Sequence, residues 1–111
     1  MKIKVAINKR YGRYGREKIV LREIRATMPF EMFGFTFAAH PAVNPDGTFR
    51  DPKKSGWVVS EASSGAAAAY GDTRRGVIEY AKSRIESIGA DRVRETIEQQ
   101  LGLQKKARRM E

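Results

Sequence analysis

At 111 residues, 41% of them hydrophobic and 32% charged, the chain has the length of one domain and the apolar content of a core, which excludes a disordered tail and a second enzyme domain. Its 22 Lys and Arg against 13 Asp and Glu give a net charge of +9, so a polyanionic partner is expected. It has no cysteine, which excludes disulfide scaffolds, thiolate zinc sites and cysteine nucleophiles.

Ile3, Val5 and Ile7 alternate with Lys2, Lys4, Ala6 and Asn8, the period of two of a half-buried strand. Lys18 to Ala26 reads as a second strand. Between them, Arg10-Tyr11-Gly12-Arg13-Tyr14-Gly15-Arg16 supplies glycines for a chain reversal, so the two strands are expected to form a hairpin. Phe33, Phe35, Phe37 and Ala39 fall at every second position, predicting a strand that ends at Pro41 with its three rings in the core. Residues 41–55, with Pro41, Pro45, Pro52 and Asp46-Gly47, read as a long irregular loop. Trp57 to Ser60 resumes extended structure with Trp57 as a core anchor, Ser63-Ser64-Gly65 turns, and Ala66 to Tyr70 can pair back as a short strand.

The period then changes to that of a helix. Gly71-Asp72-Thr73 offers a cap, Val77, Ile78, Ala81, Ile85 and Ile88 form one stripe, and Gly89 stands just past the end of a helix over 74–88. Asp91 can cap a second helix with Val93, Ile97 and Leu101 on one face, which Gly102 is expected to stop. Strands first and helices last predict an α+β domain over 1–103. It would be a two-layer antiparallel sheet of four to five strands, N-terminal hairpin first, under two C-terminal helices, with 104–111 as a basic, flexible tail.

The excess charge is localised. Residues 1–25 carry nine cations and two anions, a net +7; residues 26–71 sum to −1, residues 72–103 are neutral, and the tail carries +3. A localised field points to a binding face. The candidate nucleic-acid-binding residues are therefore Lys2, Lys4, Lys9, Arg10, Tyr11, Arg13, Tyr14, Arg16, Lys18 and Arg22, with Lys105, Lys106, Arg108 and Arg109 in the tail. Arginine bridges phosphates, tyrosine stacks on unpaired bases, and glycine lets the backbone approach. Lys2, Lys4, Lys18 and Arg22 are expected to share one outward face, with cations about 7 Å apart along each strand, near the phosphate spacing. The bland alternatives are a solvated hairpin tip and an edge strand kept soluble by lysine.

His40 is the one histidine, which excludes a two-histidine metal or acid/base site within one chain, and next to Pro41, where a strand ends, it reads as structural or exposed. Asp46, Asp51 and Glu61 lack metal-ligand spacing, and no phosphate-binding glycine motif or nucleophile elbow is present. No cofactor is implied. Gly56-Trp57-Val58-Val59-Ser60, Gly65 and Gly71-Asp72-Thr73 leading into an amphipathic helix resemble the strand-turn-strand-helix of HicB-type antitoxins over about 33 residues. Glu61-Ala62-Ser63-Ser64 replaces that family's acidic, proline-containing turn.

The expected function is a small non-enzymatic protein contacting nucleic acid or a nucleoprotein through the basic hairpin. The alternative is an interaction or inhibitor module, antitoxin-like or accessory to a mobile element, that binds an acidic protein. Third comes a small ribonuclease using His40 or a tyrosine. No apolar run approaches the roughly 18 residues of a membrane span, and the basic, alternating N-terminus is unlike a secretory leader, so a cytoplasmic monomer or homodimer is expected.

Overall fold

A computed structural model describes the backbone of residues 1–11, 16–44, 48, 49, 51, 54 and 56–110, and the side chains of these except 6–11, 16–21, 104 and 106–110. The element order is β1 (Lys2–Tyr11), β2 (Arg16–Arg25), β3 (Thr27–Met32), β4 (Phe35–Pro41), β5 (Trp57–Glu61), β6 (Ala67–Gly71), α1 (Arg74–Ile88) and α2 (Ala90–Met110). This is an α+β fold with its strands first and helices last. The six strands divide into two antiparallel sheets, a four-stranded one in the order β3-β4-β5-β6 and the separate hairpin β1-β2. No helix among the described residues is long and apolar enough to cross a membrane.

One buried residue, Ala26, separates β2 from β3, so residues 16–32 run as a nearly continuous strand that changes partner from β1 to β4. The Ala26 amide donates to the Met1 carbonyl at 2.7 Å, tying the base of the hairpin. Strand parity then sorts the core. Phe37, Ala39, Val59 and Ala69 face the helices, where they meet Val77, Ile78, Ala81, Ile85, Val93 and Ile97. On the other side Ala38 receives Ile3 and Ala26, with Val5 and Ala62 around them, so the base of the hairpin covers part of the sheet's second face.

The α1 helix follows its sequence signals. Thr73 is the N-cap and its hydroxyl accepts the Gly76 amide at 3.0 Å. Gly89, at φ +92°, closes the helix with its amide on the Ile85 carbonyl.

Three expectations about the body are corrected. The aromatic row is not one strand: Phe33 and Gly34, at φ +54° and +81°, make a tight turn between β3 and β4, so Phe33 is 42% exposed. Phe37 is buried, and Phe35 and Trp57 are half-buried against the core. Second, α2 begins at Ala90, directly after Gly89, which places Asp91 within its first turn and not at its cap. Third, α2 continues through Gly102 to Met110, because a solvent-facing glycine costs only about 1 kcal/mol in a helix whose other face is packed. The segment from 104 to 110, read as a flexible tail, is thus helical in its backbone.

Candidate nucleic-acid interface

Ten residues in each strand give the β1-β2 ribbon a length of about 33 Å. Its register runs without a break from Lys2 opposite Arg25 to Tyr11 opposite Arg16. At its base Ile3 and Ile24 are buried, and Lys4 passes its carbonyl close over Gly65 in the β5–β6 turn.

The register corrects the expected cation row. Directly opposed residues share a face in an antiparallel pair, so Lys2 and Lys4 lie with Arg25 and Glu23, while Arg22 is opposite Val5 and Lys18 opposite Lys9. Arg22 therefore belongs to the other face, together with Ile3 and Val5. On the outer face Lys2 forms an exposed ion pair with Glu23 at 3.8 Å, an interaction worth little in water. Arg22 is half-buried and places its guanidinium 4.7 Å from the centre of the exposed Phe49 ring. Farther out the register sets Lys9 opposite Lys18, Arg10 opposite Glu17 and Tyr11 opposite Arg16.

Lys9, Arg10, Tyr11, Arg16 and Lys18 have described backbones in the ribbon, but their side chains lie outside the described residues, as do Arg13 and Tyr14 altogether. Lys105 is exposed on α2; Lys106, Arg108 and Arg109 continue its last turns, their side chains outside the described residues. The α2 helix contacts β2, so the element that carries the second basic segment adjoins the ribbon.

Two polar clusters in the body escaped the sequence reading. His40 is only 2% exposed; its Nδ1 lies 2.8 Å from the Pro41 carbonyl, which can only accept, so Nδ1 carries the proton and Nε2 accepts the Ser60 hydroxyl at 2.8 Å. Burial lowers the imidazole's pKa below the usual 6.5, and the bond to Pro41 opposes this in part. The pair clamps β4 to β5 out of reach of solvent.

Glu61 is also 2% exposed, and its carboxylate accepts from the Ser63 and Ser64 amides at 3.0 and 2.8 Å and from both serine hydroxyls at 2.6–2.8 Å. An acid followed by Ser-Ser-Gly is the available sequence signal, since such a carboxylate can close a turn by taking the next free amides. Among the described residues no group of three or more His, Asp or Glu is placed to hold a metal ion.

No protein-family model, curated protein or solved structure matches the chain.

Proposed function

We propose that the chain is a non-enzymatic, cytoplasmic binding protein that contacts nucleic acid through the basic β1-β2 ribbon, helped by the basic C-terminal segment of α2. The observation that carries this reading is the ribbon itself, a two-stranded sheet not hydrogen-bonded to the main one and lying within residues 1–25, whose net charge is +7. A two-stranded ribbon fits the major groove of B-form DNA, whereas the deep, narrow major groove of A-form RNA does not admit it, which favours duplex DNA. The burial of His40 removes that imidazole as a solvent-facing acid or base, the role the ribonuclease alternative would give it.

Charge reversal at Arg10, Arg13 and Arg16 tests the reading. The triple variant loses affinity for duplex DNA by at least about a hundredfold, at roughly 1 kcal/mol per phosphate contact, while the helical circular dichroism stays unchanged. Unaltered affinity, or capture of a protein partner that survives nuclease treatment in place of DNA binding, would reject it.

A further inference from the structure

The segment between β4 and β5 holds an aromatic ring out in solvent. Val43 and Phe49 form an antiparallel bridge, and Asn44 bonds twice to Thr48, its backbone amide donating to the carbonyl at 2.8 Å and its side-chain amide to Oγ1 at 3.1 Å. The Ala42 amide closes the base of the segment on the Gly56 carbonyl at 2.8 Å. Of the five phenylalanines, Phe30, Phe35 and Phe37 lie in or against the core and Phe33 stands on the β3–β4 turn, whereas Phe49 is the most exposed, at 53%. Its ring meets the guanidinium of Arg22, which belongs to the fourth of the ten ribbon pairs counted from the base. Residues 26–71 contain three cations, and all of them, Arg50, Lys53 and Lys54, follow Phe49 within five residues, with Asp46 and Asp51 in the same loop.

We propose that Phe49 is a stacking platform for an unpaired base, so that the preferred nucleic acid is a duplex interrupted by an unpaired nucleotide. The inference rests on the reading of the ribbon as a nucleic-acid surface and narrows its substrate class. The chemistry of the site selects a base as the occupant. A nucleobase offers a planar face to an aromatic ring once it leaves the helical stack, whereas the faces of a paired base are covered by its neighbours. Arg22 keeps a guanidinium against the same ring, where it adds a cation–π contribution and attracts the phosphate of a stacked nucleotide. Because the ring adjoins the ribbon through Arg22, an unpaired nucleotide reaches it from a duplex that stays on the ribbon.

Fluorescence anisotropy of the full chain with two labelled duplexes tests the proposal. Both have about 16 base pairs, longer than the ribbon, and they differ only in that one carries a single unpaired adenine. The wild type binds the interrupted duplex about tenfold more tightly, the gain expected of one base on one ring. Phe49→Leu keeps an apolar side chain without a ring face, and it brings that ratio to about one while the affinity for the paired duplex and its salt dependence stay unchanged. Phe49→Tyr retains the preference. A wild type that binds both duplexes equally, or a preference that survives Phe49→Leu, would overturn the inference and leave the function standing. Binding to neither duplex would overturn both.

Discussion

Gly65→Ala probes the joint between ribbon and body. Gly65 adopts φ +73°, a region that costs an alanine about 1–2 kcal/mol. A Cβ there would overlap the Lys4 carbonyl oxygen and stand 3.2 Å from the Lys4 carbonyl carbon and 3.4 Å from the Val5 Cα, all backbone atoms that cannot rotate aside. Relief requires β1 to lift from the β5–β6 turn, withdrawing Ile3, which is fully buried and contributes about 1.5–3 kcal/mol when so placed. Partial loss of that burial with the backbone strain gives a destabilisation of about 2–4 kcal/mol. For a domain of this size that lowers the thermal midpoint by roughly 8–16 °C. Thermal and urea unfolding followed by circular dichroism measure it. A midpoint within about 3 °C of wild type would show that the ribbon is not seated on this turn, and the reasoning about its base would be wrong.

Phe33→Asn should raise stability by about 0.5–1 kcal/mol in the same assay, because asparagine tolerates the positive φ that phenylalanine bears and little burial is lost. His40→Gln should flatten the acid limb of the stability profile. The imidazole's folded pKa lies below 6.5, so the unfolded chain takes up a proton first, and the wild type loses stability as pH falls from about 6.5 through the lowered folded value. Denaturant titrations at several pH values, as the difference between wild type and variant, isolate that contribution, and parallel profiles would contradict it.

The parts of the fold that were legible in the sequence are those fixed by local chemistry. Thr73, the Val77-to-Ile85 stripe and Gly89 determine α1 without reference to anything distant. What escaped depends on register or on burial. The alternation of Phe33, Phe35 and Phe37 runs through a two-residue turn, so its period survives while the chain reverses, and β3 before it is masked by Pro29. Which ribbon cations share a face depends on the pairing that the Arg10–Arg16 segment imposes, and a one-residue change of register exchanges the faces. Alternation alone therefore puts Arg22 in the row of Lys2 and Lys4, although its guanidinium lies over Phe49. The His40–Ser60 clamp is made by burial, which no spacing of residues encodes, whereas the Glu61 cage is local and its signal is the acid with Ser63 and Ser64 just after it.

The central claim is that the ribbon's charge is a phosphate-binding surface. The most direct test is the affinity for a DNA duplex as a function of salt, by fluorescence anisotropy from about 50 to 300 mM. Engagement of four to six phosphates predicts a log–log slope of about −4 to −5. A slope near zero, or no binding at about 50 mM salt, would contradict the account, because a net +7 ribbon on phosphates must release counterions.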